Sequence, residues 1–119
     1  MVEYSVCKEE LGDFEKLSDV FASDVLQLDY SFDPIKNKLT LRCINVSFNC
    51  CIDSLHSNIS LMNDTILVQL FEESPYPCRC YCLYDLTMLI TGIEAKKYTV
   101  KITQPQYPDA QESIFDIDL

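Results

Sequence analysis

The sequence predicts an all-β sandwich, and three observations lead to that prediction. Apolar and polar residues alternate with a period of two over much of the chain after residue 24, as they do in strands with one buried face. Clusters of proline, asparagine and aspartate interrupt this alternation at short intervals, which is typical of turns between strands. The result is six or seven short strands, a number and spacing that favour two packed sheets.

The first predicted hairpin spans residues 24–48. Leu26, Leu28, Tyr30 and Phe32 alternate with polar residues, and a turn follows at 33–37, where Pro34 presets φ. In the second strand, 38–48, the apolar phase slips midway. It changes from Leu39, Leu41 and Cys43 to Ile44, Val46 and Phe48. A β-bulge, or a strand that passes from one sheet to the other, would produce such a slip.

The remaining strands follow at close spacing. After a loop at 49–57, a second hairpin pairs 58–61 with 65–71 around the turn 62–64. A strand at 80–91, a turn at 92–97 and a strand that begins at Tyr98 come next. Beyond the proline break at 105–108, residues 113–118 are predicted to form an edge strand.

The N-terminal residues 1–23 are predicted to be separate from the single β-sandwich domain at 24–119. Five apolar residues recur there at spacings of three and four, which favours a short amphipathic helix; they are Leu11, Phe14, Leu17, Val20 and Phe21. Because Gly12 interrupts the pattern, an irregular arm is the alternative.

Composition excludes several classes of function. The net charge of −10 argues against binding to nucleic acid or to an anionic membrane surface, since phosphates would be repelled. The two glycines do not form a phosphate-binding loop, and no apolar run approaches the roughly 20 residues of a membrane span. The first residues contain no apolar core of a secretory signal. Two locations therefore stay open, the cytoplasm and, if a leader has been removed, the cell envelope.

Tyr98 indicates an immunoglobulin-like topology. It follows a short link that begins with the apolar Ile93. In immunoglobulin-like sandwiches, a tyrosine near the start of a late strand donates a hydrogen bond back across the corner between the sheets. A tyrosine that merely alternates inward is the other interpretation of this spacing.

Residues 45–102 resemble a family of small β-sandwich domains from gut bacteria, many of which are cell-envelope lipoproteins without an established activity. The matching motif residues are Asn45, Val46, Phe48, Asn49, Cys50 and Cys51, then Cys78, Cys80, Cys82, Tyr84, Asp85 and Leu86, and finally Gly92, Ile93, Tyr98 and Thr99. The chain departs from the family pattern at Ala95-Lys96, where the pattern has Pro-Gly. The resemblance implies an immunoglobulin-like fold and carries no activity. The partner is expected to be an unknown protein or cell-envelope component.

The candidate site is a cluster of five cysteines in these motifs: Cys50, Cys51, Cys78, Cys80 and Cys82. In an oxidising compartment, Cys50 or Cys51 would form disulfides with the downstream group. In a reducing compartment, four of the five would bind zinc or a softer metal as thiolates, so zinc is the cofactor that the sequence leaves open. Protonated, buried thiols are the third alternative. Cys43 is predicted to be a buried small hydrophobe and Cys7 a spare thiol.

The sequence favours a non-enzymatic binding or structural module, with a thiolate metal-binding protein as the alternative. The single histidine, His56, is placed in the loop 49–57 close to Asp53. A thiol enzyme that combines His56 with Cys51 or Cys80 is the third and least favoured class. The pair Glu72/Glu73 is interpreted as solvated charge. The biological partner and the oligomeric state stay open at this point.

Overall fold

The computed structural model describes residues 2–12, 26–108, 110 and 112–119. This part of the chain contains nine strands and no helix. The strands are β1 (Val2–Tyr4), β2 (Glu9–Gly12), β3 (Gln27–Asp33), β4 (Lys38–Asn49), β5 (Ser54–Met62), β6 (Thr65–Glu73), β7 (Tyr81–Thr91), β8 (Lys97–Thr103) and β9 (Ser113–Asp118). Consistent with this, no described segment is a helix that could cross a membrane.

The strands form two sheets that pack as a sandwich. Sheet A has the order β1-β7-β4-β3, and β2 follows β1 along the same edge of β7, so the sheet is four strands wide. Sheet B has the order β5-β6-β8-β9. Every pair is antiparallel except β6 and β8, which run parallel in the middle of sheet B. The all-β sandwich is therefore confirmed, whereas the immunoglobulin-like topology stays a prediction.

The core lies between the two sheets and is supplied mainly by alternate residues of β4, β6, β7 and β8, together with Leu55 of β5 and Ile117 of β9. In β6 and β8 the inward positions are almost fully buried and the residues between them are partly exposed. The largest fully buried side chains are Phe48, Leu39, Leu41, Ile66, Leu70, Leu86, Met88, Ile102, Val46, Val68, Val100 and Cys43. At roughly 25 cal/mol per Å² of apolar surface, this burial is the main favourable contribution to folding.

The predicted irregularity in β4 is a β-bulge. Pairing with β7 is regular up to Cys43 and resumes at Val46, so two residues of β4 lie opposite the single residue Asp85. Asn45 in the bulge has a φ of 66°, a left-handed conformation that asparagine tolerates better than most residues. The Asp85 carboxylate accepts the N–H of Asn45 at 3.2 Å, so this aspartate of the Tyr-Asp-Leu motif stabilises the bulge.

Asp85 is also the centre of a small charge network. Lys8 Nζ lies 2.8 Å from Oδ1 of Asp85, and Arg42 lies 3.6 Å from Oδ2. Burial by itself would raise the pKa of Asp85, but the hydrogen bonds from Lys8 and Asn45 and the two positive charges outweigh it and lower the pKa. The carboxylate is consequently ionised over a wide pH range. Lys8 ties the segment between β1 and β2 to the bulge in β4.

The β3–β4 and β5–β6 turns contain asparagine, a residue type from which turns are predicted. Asn37 and Asn63 have positive φ values of 49° and 55° in the β3–β4 and β5–β6 turns, as expected for asparagine in hairpin turns. Gly92 has a φ of 70° at the end of β7 and donates its N–H to Asn37 O. The positive φ at these three positions is a conformation that asparagine and glycine adopt more readily than other residues do.

Tyr98 makes the predicted corner hydrogen bond. Its hydroxyl donates to the backbone O of Glu94 at 3.0 Å, and the tyrosine is 3% exposed. This bond closes the link between β7 and β8 even though the chain has Ala95-Lys96 in place of Pro-Gly.

Tyr98→Phe should lower the free energy of unfolding by about 1 kcal/mol, because the variant loses one hydrogen bond and keeps the ring. Urea denaturation followed by circular dichroism measures the difference. Tyr76→Phe is the control, since Tyr76 is 87% exposed and its change should stay within about 0.5 kcal/mol. Equal stability of Tyr98→Phe and wild type would show that the corner hydrogen bond does not stabilise the fold.

The N-terminal segment contributes strands where a helix or an arm was predicted. β1 and β2 both pair with the edge of β7, where backbone hydrogen bonds are available. Leu11 lies in β2, whereas the other apolar residues of the proposed helix lie at 13–25, outside the described residues. The division of the chain into residues 1–23 and 24–119 stays a prediction.

Candidate functional site

The two cysteine motifs meet at one end of the sandwich. The Asn-Cys-Cys segment leads from β4 of sheet A to β5 of sheet B, and the second segment leads back from β6 to β7. Two disulfides join these neighbouring crossovers, Cys50–Cys80 and Cys51–Cys78. Their Cα–Cα distances of 5.5 and 5.6 Å are ordinary for disulfides. The two crossovers between the sheets are therefore cross-linked twice.

The third disulfide corrects the prediction for Cys7. Cys7 lies between β1 and β2, and it is bonded to Cys82 with a Cα–Cα distance of 5.4 Å. It is thus not a spare thiol, and Cys82 pairs with the N-terminal segment instead of with Cys50 or Cys51. The sequence separation of 75 hides this pair, because it depends on β1 and β2 lying along the edge of β7.

The three downstream cysteines do not share one strand. β7 begins at Tyr81, so only Cys82 lies in a regular strand, and it is 1% exposed. Cys78 is exposed and Cys80 is partly buried in the irregular segment that precedes β7. Pro77 lacks the N–H group that a strand would use in its ladder, and β7 does not extend back to Cys78.

Asn49 joins the two motif segments through hydrogen bonds that add to the disulfides. Its Oδ1 accepts the N–H groups of Cys51 at 2.9 Å and Cys78 at 3.1 Å, and its Nδ2 donates to Cys78 O at 2.8 Å. The side chain is 5% exposed, so these bonds form out of contact with most solvent. A further backbone bond, from Cys50 N to Cys80 O at 3.1 Å, extends the frame.

Glu72 supports this frame from sheet B, and it corrects the interpretation of Glu72 as solvated charge. The residue is 9% exposed, and its Oε2 accepts the N–H of Asn49 at 2.8 Å and the hydroxyl of Ser74 at 3.2 Å. Gln106 pairs with its backbone in both directions, at 2.7 and 2.9 Å. The burial of Glu72 could have been predicted from its position, because Glu72 continues the inward alternation of Ile66, Val68 and Leu70 in β6.

Burial raises the pKa of Glu72 above its ordinary value of 4.5, and the hydrogen bonds from Asn49 and Ser74 oppose that rise without cancelling it. The folded protein therefore binds the Glu72 proton more tightly than the unfolded chain does. This contribution to stability is complete below pH 4.5 and is lost as the pH rises through the higher folded-state pKa.

Glu72→Gln should consequently gain stability relative to wild type as the pH rises above 4.5. The amide keeps an acceptor for the N–H of Asn49 and carries no charge that burial would penalise. Urea denaturation at a series of pH values measures the difference, and Glu94→Gln controls for the loss of one exposed negative charge. A difference between Glu72→Gln and wild type that does not change with pH would contradict the assignment.

Cys43 is the seventh cysteine and is free and fully buried, which confirms its predicted place in the core. Burial raises the pKa of its thiol to about 12. Because the thiolate is the species that attacks disulfides, this thiol is a poor nucleophile for exchange with the three disulfides.

His56 lies in β5 and not in the predicted loop, because β5 begins at Ser54. Its Nε2 is 3.0 Å from the Ser54 hydroxyl and 3.3 Å from a carboxylate oxygen of Glu73. Cys51 and Cys80, the two thiols considered for a nucleophile, both lie in disulfides. The arrangement gives His56 exposed polar neighbours on the surface of sheet B.

Three sulfur atoms of the cluster lie close enough together to share a metal ion. The Sγ atoms of Cys50, Cys51 and Cys78 all lie within 4.8 Å of one another, and the fourth sulfur, that of Cys80, is bonded to Cys50. Cys82 is bonded to Cys7 and does not belong to this group. As disulfides these sulfurs carry no thiolate charge, so metal binding by them requires reduction.

Comparison of the chain with family models, with curated proteins and with solved structures found no match. The resemblance to gut-bacterial β-sandwich domains accordingly stays a prediction.

Proposed function

We propose that this chain is a non-enzymatic binding or structural module that works where thiols are oxidised. The observation that carries the proposal is the pairing of six of the seven cysteines in three disulfides of ordinary Cα–Cα separation. Such disulfide density is typical of secreted, periplasmic and cell-surface domains and is rare in cytosolic ones. The disulfides join the crossovers and the N-terminal segment, so they stabilise the sandwich as a platform.

The fold proposed for this platform is a variant of the immunoglobulin-like sandwich. The corner hydrogen bond of Tyr98 and the repeated crossing of the chain between sheets support it. The parallel β6–β8 pair departs from the wholly antiparallel pattern, which makes the chain a variant of that topology.

We also propose that the chain is not a thiol enzyme, and the disulfides support this part of the proposal. A cysteine nucleophile must be a thiolate, and the two candidates are bonded to other cysteines. We propose a protein or another component of the cell envelope as the partner, in keeping with the resemblance to envelope domains. The net charge of −10 disfavours nucleic acid and anionic membranes as partners.

Thiol counting tests the oxidised state that the proposal requires. The protein is purified without reductant and its mass is measured after alkylation. The folded protein should take up no alkylating group, the denatured protein one group at Cys43, and the denatured and reduced protein seven. Seven groups on the denatured, unreduced protein would overturn the proposal.

A thiolate metal-binding protein is the second candidate, and the grouping of three Sγ atoms within 4.8 Å favours it. Zinc and softer metals are the ions that such a ligand set would hold.

A further inference from the structure

We propose that reduction of the Cys50–Cys80 and Cys51–Cys78 disulfides converts this end of the sandwich into a four-thiolate site for a soft metal cation. The inference rests on the second candidate function and specifies its ligands, its metal class and its control by redox state. Cys7, Cys43 and Cys82 are outside the site.

The positions of the sulfurs match the size of such a site. A tetrahedral ion with metal–sulfur bonds of about 2.3 Å needs ligand sulfurs about 3.8 Å apart. The Sγ atoms of Cys50 and Cys51 are 4.0 Å apart although they belong to different disulfides. The Sγ atoms of Cys50, Cys51 and Cys78 all lie within 4.8 Å of one another. The Sγ of Cys80, which is bonded to Cys50 and lies outside that group, has to rotate toward the other three once the two S–S bonds are open.

The backbone that carries the four thiols is also held by hydrogen bonds in which the disulfides take no part. Asn49 connects to Cys51 and Cys78 through three hydrogen bonds, and Cys50 N donates to Cys80 O. β4 and β7 pair from Asn49↔Tyr81 onward and fix the neighbouring strand ends. In a reduced chain that keeps this fold, the four thiols stay close together, which lowers the entropic cost of bringing them to one ion.

The redox step balances with a dithiol as reductant. Each protein disulfide accepts two electrons and two protons and becomes two thiols, while each dithiol loses the same and becomes a cyclic disulfide. The four thiols then release four protons as a divalent cation binds four thiolates. Soft thiolate ligands select Zn²⁺, Cd²⁺ or Cu⁺ over Mg²⁺ or Ca²⁺.

The two disulfides also explain why the oxidised protein has no metal site. With the four sulfurs paired in two S–S bonds, no thiolate remains to coordinate an ion. The same residues thus cross-link the fold under oxidising conditions and offer a cation site under reducing conditions.

Cadmium titration of the full chain tests the proposal. The protein is reduced with a phosphine, exchanged into anaerobic buffer, and titrated with Cd²⁺ while the ultraviolet sulfur-to-cadmium charge-transfer band and the native mass are recorded. We expect one Cd²⁺ for each reduced chain and none for the oxidised chain. A reduced chain that binds no Cd²⁺, or that has lost its β-sheet circular dichroism before metal is added, would overturn the proposal.

Three variants assign the ligands and the frame. Cys51→Ser with Cys78→Ser should lower the affinity of the reduced chain for Cd²⁺ by at least about 100-fold, since half of the ligands are gone. Cys7→Ala with Cys82→Ala should leave the affinity unchanged. Asn49→Ala keeps all four thiols and should cost about 10- to 100-fold, as removal of outer-shell partners does in other metal sites.

A separate result would contradict the claim that the folded backbone holds the four thiols in place. If the reduced chain binds Cd²⁺ as tightly in urea as in buffer, the cysteines act as a flexible chelator and the proposed site is wrong. Thiol counting without reductant tests the proposed oxidised module separately. The metal site can therefore be wrong while the oxidised module is right, and the reverse.

Discussion

Replacement of Cys50, Cys51, Cys78 and Cys80 together by serine should lower the free energy of unfolding by about 5–6 kcal/mol, far more than removal of either disulfide alone. The Cys50–Cys80 disulfide closes a loop with a sequence separation of 30, worth about 3.6 kcal/mol through the unfolded state. Once it has formed, Cys51 and Cys78 are already neighbours in the unfolded chain, and the second disulfide closes a ring of about five residues. That ring is worth only about 2 kcal/mol.

Each double variant that removes one disulfide should therefore cost about 2 kcal/mol, because the other disulfide maintains the long loop closure. The two costs sum to less than the cost of removing both. Equilibrium denaturation in urea of the two double variants and the quadruple variant measures the three values. Single-disulfide costs that add up to the quadruple cost would show that the disulfides are not nested as the structure has them.

The Cys7–Cys82 disulfide provides the comparison. It spans a sequence separation of 75, and its ring stays long whether or not the other two disulfides are present. Cys7→Ala with Cys82→Ala should cost about 4 kcal/mol in either background. A cost that depends strongly on the other disulfides would contradict this independence.

Asn49→Ala should lower the free energy of unfolding by about 3–4 kcal/mol. The change removes three side-chain hydrogen bonds and leaves two N–H groups and one carbonyl of the cysteine segments without these partners. The three bonds are partly buried, and the loss of such a hydrogen bond costs about 1 kcal/mol or slightly more. The cysteines keep their side chains, so the effect measures the frame separately from the disulfides.

Asn58→Ala is the matched control for Asn49→Ala. Asn58 is exposed in β5 and makes one long side-chain hydrogen bond, 3.4 Å to Gln69, so its loss should change stability by less than about 0.5 kcal/mol. Urea denaturation of the oxidised proteins gives both values, and amide exchange at Cys51 and Cys78 gives a local one. Similar stabilities of the two variants would contradict the role given to Asn49.

Local features of the fold could be predicted because they depend on neighbouring residues. The slip of apolar phase in β4 marked the bulge, the asparagines marked turns with positive φ, and Tyr98 marked the corner hydrogen bond. Strand β9 was predicted with the bounds that the structure has. In each case the side-chain pattern over a few residues is sufficient to specify the conformation.

Long-range pairing explains what the sequence did not reveal. The Cys7–Cys82 disulfide follows from two short strands that add to the edge of β7, and no local pattern specifies that partner. The role of Asn49 could not be derived either, because its hydrogen bonds cross 29 residues to Cys78. The burial of Glu72 agrees with the alternation of buried residues along β6, whereas its charge alone would favour an exposed position.

The central claim is that three disulfides connect the N-terminal segment, the Asn-Cys-Cys segment and the segment before β7. Trypsin cleaves after Lys8, Arg42, Arg79 and Lys96, which separates Cys78 from Cys80. Without reduction, the peptide ending at Lys8, peptide 43–79 and peptide 80–96 should therefore appear as one covalent assembly held by Cys7–Cys82 and Cys50–Cys80. Release of any of these three peptides without reductant would contradict this connectivity.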